Sequence, residues 1–202
     1  MTFAKLWVGD LVAGDLGDVS AEAIYTDPPW NPGMARIMRQ WAHADTGPVD
    51  YLELVCRTAL AFARACPSGP WYLQAGPRPS VWREGLRRCS PLPIHTIPAT
   101  WGTVANPKPY YVLCANGAPP IPSGLHGKDV TRAVMGQVTS KKSILDPFMG
   151  KGQTLRHAIP LGVSVFGMEI NPKRLAAGAA WVERHHPEVD LSLESGGASW
   201  QA

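Results

Sequence analysis

The sequence predicts an α/β layered fold on three observations. Short β-prone apolar runs end, one after another, in an acid or a tight turn. Segments with apolar residues at helical spacing lie between them. The chain's 202 residues, 45% of them hydrophobic, suffice for one real core. In chain order, strands are expected at Lys5 to Val8 before Gly9-Asp10, and at Ala23 to Thr26 before Asp27. A helix follows over Val49 to Arg64, where Leu52, Val55, Ala59 and Phe62 recur at helical spacing, and a strand at Trp71 to Gln74 before Gly76. Ile94 to Thr103 and Tyr110 to Cys114 read as a hairpin whose turn is Asn106-Pro107-Lys108-Pro109. After a Gly- and Pro-rich loop, Ala115 to Lys128, strands run from Ser143 to Leu145 into Asp146 and from Val163 to Met168 into Glu169. Between these two, Thr154 to Pro160 has room for a short helix; a longer one spans Pro172 to His185, with proline in its first turn.

Composition narrows the function classes. Charged residues make up only 17%, and the 20 glycines and 20 prolines are scattered without a period, which excludes collagen and argues against disorder over most of the length. A net charge of +3 tolerates a polyanionic partner without demanding one. The four cysteines, Cys56, Cys66, Cys89 and Cys114, form no CxxC pair and read as reduced thiols. No signal-peptide core and no run of about 18 apolar residues is present, so the expectation is a soluble cytoplasmic protein without a membrane partner. Residues 1–202 read as one domain, with an irregular tail from about 187.

Two segments carry chemistry. In Ser143-Ile-Leu-Asp-Pro-Phe-Met-Gly-Lys-Gly-Gln-Thr154 a short strand delivers an acid at its carboxyl end, and Gly150 and Gly152 then form a tight turn before a helix. Small glycines let backbone N–H groups approach a bound anion, and a helix start adds partial positive charge. No GK[ST] closes the turn, and Leu155 breaks the dinucleotide GxGxxG pattern. Glu169 ends the next strand, where an acid can accept hydrogen bonds from ribose hydroxyls, so a ribose-bearing cofactor with an anionic group fits. The second segment is Tyr25-Thr-Asp27-Pro28-Pro29-Trp30. Two prolines stiffen a carbonyl that no ladder can claim, Asp27 supplies a carboxylate and Trp30 a flat face. That set suits a planar ring bearing an exocyclic amine, whose hydrogens need two acceptors before the nitrogen lone pair becomes available.

Together the two segments resemble the S-adenosylmethionine-dependent amino-methyltransferases of DNA, with their DPPW-type catalytic motif (here 27–30) and DPFxGxGxT-type cofactor motif (here 146–154) on one sheet. The catalytic motif comes first, the permuted order of the β-class, in a small form without a separate target-recognition domain. Gly167-Met-Glu-Ile-Asn-Pro172, Gly9-Asp10 and His126-Gly-Lys128-Asp129 extend the likeness, while Lys151 and Gln153 depart from it. The resemblance implies a Rossmann-like class I methyltransferase fold, a mostly parallel seven-stranded sheet with one antiparallel hairpin strand and helices on both faces. It implies S-adenosylmethionine bound by Asp10, Lys128, Asp146, Pro147, Phe148, Gly150, Gly152, Thr154, Glu169 and Asn171. It also implies catalysis by Asp27, Pro28, Pro29 and Trp30 on a flipped base, with no metal.

Aspartate before Pro-Pro and tryptophan after it resemble the adenine-N6 branch; cytosine-N4 in DNA and adenosine in RNA are the alternative substrates, and a silent nucleic-acid-binding homologue the alternative class. Candidate nucleic-acid contacts are Arg36 and Arg39, just past the catalytic motif, and Arg83 and Arg87 of a basic stripe after Pro79. A homodimer, and an origin in a restriction-modification system or a phage, are expected from the family alone.

Overall fold

The computed structural model describes residues 1–11, 14, 16–41 and 50–194. Val49 and the tail beyond 194 lie outside the described residues. The elements are β1 (Phe3–Val8), β2 (Ala23–Thr26), α1 (Pro32–Trp41), α2 (Tyr51–Ala65), β3 (Trp71–Gly76), α3 (Ser80–Arg87), β4 (His95–Thr103) and β5 (Asn106–Ala115). They continue with α4 (Lys128–Val138), β6 (Ser143–Asp146), α5 (Gln153–Ala158), a 3-10 turn (Ile159–Leu161), β7 (Ser164–Glu169), α6 (Pro172–His185) and β8 (Asp190–Glu194). No helix among the described residues is long and apolar enough to cross a membrane.

All eight strands join one sheet in the order β4-β5-β3-β2-β6-β7-β1-β8. The two pairings of β5, with β3 and with β4, are antiparallel and the other strand pairings are parallel. The α/β architecture is the one expected, with an eighth strand added. Both faces are covered, so the central strands are apolar on both sides. Tyr25, Tyr72, Ile144 and Val165 pack on one face with α4 residues Val130, Val134 and Met135 and with Leu155 of α5. The alternate residues Ile24, Trp71, Leu73 and Leu145 pack on the other with Phe62 of α2 and Trp82 and Leu86 of α3.

The order of the strands sets the place of a site. From β2 the chain moves outward to β3, whereas from β6 it moves the opposite way to β7, so β2 and β6 are neighbours from which the connections diverge. A crevice opens at the carboxyl ends of such a pair. Asp27 directly follows β2, and Asp146 ends β6.

Two expectations are corrected, and helix α4 is added. Asn106 to Pro109 is not the hairpin turn: these residues begin β5, opposite Thr103 to Thr100, and the chain reverses at Val104-Ala105. Pro107 and Pro109 are accommodated because this part of β5 has β4 on one side and no strand on the other, so their missing N–H groups break no second ladder. The stretch after 187 is not irregular throughout, since β8 pairs with β1 from Phe3↔Asp190 to Trp7↔Glu194, making the sheet eight strands instead of seven. Finally, α4 follows the Gly- and Pro-rich loop without a side-chain cap, its N-cap being Gly127.

Candidate active site

At the end of β6 the Asp146 carboxylate is buried and fully engaged. One oxygen accepts from the Thr26 hydroxyl at 2.7 Å and the Phe148 N–H at 3.1 Å, and the other accepts from the Thr154 hydroxyl. Desolvation pushes its carboxyl up to about 6 against those three donors, with Glu169 adding in the same direction. Asp146 thus clasps β2, the glycine turn and α5 together. Replacing it with asparagine puts an NH2 where hydroxyls and an N–H point; a stability loss of about 1–3 kcal/mol is expected, with weakened cofactor binding, measured by thermal unfolding and cofactor titration.

Glu169, at the end of β7, braces the turn from the other side. Its two oxygens accept from Gly150 N–H at 2.8 Å and Asn171 N–H at 3.0 Å. Burial raises its carboxyl while these backbone bonds pull it down. Each oxygen keeps lone-pair capacity, and Glu169 lines the cavity described below. Gly150 has φ +59°, and nothing lies within 4 Å of where a Cβ would sit. Gly152, at φ +84°, starts α5 where a Cβ would come within 2.9 Å of Leu155 and 3.3 Å of the Gly178 backbone in α6. The turn therefore needs glycine twice, once for its open face and once for close packing. Asn171 caps α6 through Lys173 and Arg174 N–H groups.

On the other flank, Asp27 has an exposed surface facing the cavity yet is set deep among protein atoms. That desolvation pushes its carboxyl up to about 7; the Trp30 N–H, donating to Oδ1 at 2.8 Å, works against it, and Asp146 works with it. The Trp30 ring stacks on buried Tyr110 (5.7 Å, 11°) and meets Trp101 edge-on at 5.3 Å. The Pro29 carbonyl is taken by the Tyr51 hydroxyl at 3.0 Å, and Trp82 Nε1–H donates to that hydroxyl at 2.9 Å. Among the described residues the Pro28 carbonyl accepts no such bond. Nearby, Gln74 donates to the Tyr25 hydroxyl at 2.5 Å, which shares a 2.7 Å bond with Thr131.

Both flanks bound one cavity of about 270 Å³. Asp27, Pro29, Tyr25 and Gln74 line it together with Asp146, Pro147, Phe148, Gly150, Thr154 and Glu169. Asp10 lines it too, bound to Arg39 of α1 at 2.7 Å, so Arg39 turns inward instead of offering itself to an outside phosphate. Trp30, Pro28, Gly152, Asn171 and Lys128 are not among the lining residues. Arg36 is exposed on α1, while Arg83 and Arg87 sit on α3 away from the cavity. Sequence reasoning passed over Tyr51, Trp82, Gln74 and Tyr110. None stands beside a motif, and only Tyr25, within the quoted segment, carried a local signal.

No family model and no curated protein matches the sequence. Solved structures do. A candidate DNA modification methylase of Thermus thermophilus has a TM-score of 0.67 at 17% identity, over 96% of this chain and 100% of that one. Its complex with S-adenosyl-L-methionine gives 0.65 at 16%, over 95% and 99%. M1.HpyAVI gives 0.59 at 17%, over 89% and 99%, and the cytosine-N4-specific PvuII DNA methyltransferase 0.51 at 13%, over 89% and 86%. At these identities the likeness is one of fold.

Proposed function

We propose that the chain is an S-adenosylmethionine-dependent DNA methyltransferase acting on the exocyclic N6 amine of adenine. The observation that carries this reading is the shared cavity, with the Asp27 carboxylate on one flank and the Gly150 turn with Glu169 on the other. The donor set fits the cofactor: Gly150 leaves its face open, Glu169 keeps acceptor capacity for hydroxyls, and Asp10 and Arg39 add polar groups at the same cavity. When bound, S-adenosylmethionine supplies an electrophilic methyl group on a positively charged sulfur.

The chain's own residues do the rest. Asp27 accepts one amine hydrogen, and the adjoining Pro28 carbonyl, which has no hydrogen-bond partner among the described residues, serves as the second acceptor, which favours a nitrogen with an available lone pair. The same carboxylate, raised towards neutrality, is suited to take the proton the amine gives up on methylation. Tyr51, held by Trp82, fixes the backbone of the Pro-Pro step. Leu11, Ala35, Met38 and Leu54 supply apolar wall that excludes water. A base must leave its stack to reach Asp27, at an expense of a few kcal/mol. Adenine is preferred over cytosine because Asp27, and not a serine, precedes Pro28-Pro29, with Trp30 after them.

The deciding experiment incubates the purified protein with methyl-labelled S-adenosylmethionine and, separately, duplex DNA, single-stranded DNA and RNA, then digests to nucleosides. Label in N6-methyladenine from DNA is the expected result. Label on cytosine overturns the base assignment, label confined to RNA overturns the substrate, and cofactor binding without any transfer leaves a silent homologue.

A further inference from the structure

The hairpin β4–β5 is longer than the sheet requires. Its last pair with β3 is Gly76↔Tyr111; beyond it, from Ala99↔Tyr110 to Thr103↔Asn106, the two strands pair with each other and with no third strand, apart from a single bridge between Thr100 and His126. They project past the carboxyl end of β3, the same edge at which Asp27, Asp146 and Glu169 stand. The projection is braced at its base. Thr100 N–H donates to the Leu125 carbonyl, Gly127 N–H donates to the Thr100 carbonyl, and the His126 ring bonds the Thr100 hydroxyl and the Gly102 carbonyl. It is also tied to the cavity wall, since Trp101 meets the Trp30 ring that holds Asp27.

It presents outward a mixed apolar and cationic surface. All nine residues from 101 to 109 are exposed, including two large apolar ones, Trp101 (40%) and Val104 (88%) at the reversal. The Lys108 amine lies 5.3 Å from the Trp101 ring centre, putting a cation and a flat face side by side. The 44 residues from Gly85 to Lys128 contain no aspartate or glutamate, although the chain has 16. Arg78, two residues past Gly76, and Lys128, two past His126, flank the base of the projection. Both are exposed, and among the described residues neither they nor Lys108 forms an ion pair. A rigid ribbon with aromatic and aliphatic tip residues, free cations and no acids is complementary to a polyanion whose bases can stack.

We infer that this hairpin grips the DNA strand beside the target nucleotide, Lys108 contacting phosphate while Trp101 and Val104 lie against bases or sugars, with Arg78 and Lys128 widening the phosphate track. The inference rests on the proposed DNA substrate and names the element that holds it. The test uses Lys108→Ala and Val104→Asp, both at exposed positions, and follows duplex and single-stranded DNA binding by fluorescence anisotropy across a salt series, with cofactor affinity measured in parallel.

Lys108→Ala is expected to weaken DNA binding about fivefold and to reduce the slope of log affinity against log salt by about one. Val104→Asp is expected to weaken binding about tenfold, and neither variant should change cofactor affinity. Unchanged DNA affinity and salt slope in both variants, in a protein whose wild type methylates DNA, overturns the hairpin assignment and leaves the proposed activity standing. A wild type that binds the cofactor but neither binds nor methylates DNA overturns the substrate and the hairpin assignment together.

Discussion

Replacing Asp27 with asparagine is expected to lower methyl transfer on the order of 10³-fold while cofactor affinity stays within about twofold of wild type. The amide keeps the shape of the carboxylate but loses its charge, and an NH2 facing the substrate amine sets donor against donor. The wild type should already show what protonation does at this position. Burial pushes the Asp27 carboxyl up to about 7, so its proton is held to a higher pH than an ordinary carboxylate would hold it. Below that point the neutral form dominates, and kcat should fall about tenfold for each further pH unit. A carboxylate at its usual value would leave kcat flat down to about pH 4. The Trp30 N–H favours the anion, so Trp30→Phe, which keeps an aromatic ring and removes the donor, should move the acidic limb to higher pH. A kcat profile level from pH 8 to pH 5 would refute the assignment.

Gly76→Val should produce the largest loss of stability among single changes near the site. Gly76 has φ +70°, a conformation costing a β-branched residue about 1–2 kcal/mol. A Cβ there would come within 2.4 Å of Trp30 Cγ and 2.5 Å of Trp30 Cβ. Since the ring is held between Tyr110, Trp101 and Asp27, it cannot retreat without breaking one of those contacts. Together the two effects are expected to amount to about 2–5 kcal/mol, with kcat falling further than cofactor affinity. Adding Trp30→Gly, which removes both clashing atoms, should relieve the steric part, so the double variant should be more stable than the sum of the two single losses by about 1 kcal/mol or more. Additive losses would mean that the ring does not press on Gly76.

Much of the fold was legible because the strands are short, apolar and punctuated by acids. Asp27, Asp146 and Glu169 stand at the carboxyl ends where the pattern put them, and α6 spans the predicted Pro172–His185. Helix α4 was passed over although Val130, Val134, Met135 and Val138 form a buried stripe, because its start is Gly127 and no serine, threonine or aspartate announces it. The hairpin was recognised but its turn misplaced: prolines read as turn residues until the open side of β5 shows why a strand tolerates them. The site was less legible. Trp30 reads in the sequence as a flat surface for a base, whereas its N–H serves Asp27 and its ring stacks on Tyr110, 80 positions away. The roles of Tyr51 and Trp82 likewise depend on two helices converging on Pro29, which no local pattern announces.

Strand β8 bears on how the protein can be trimmed. It covers β1, the strand leading to Asp10, and its exposed acids include Glu194, 2.8 Å from Lys5. A chain cut at 187 would leave β1 paired with β7 alone, its outward-facing backbone donors and acceptors between Phe3 and Trp7 open along an apolar margin, a template for intermolecular strand pairing. Strand β8 thus acts as a solubility guard, shielding the protein from polymerising through its own sheet.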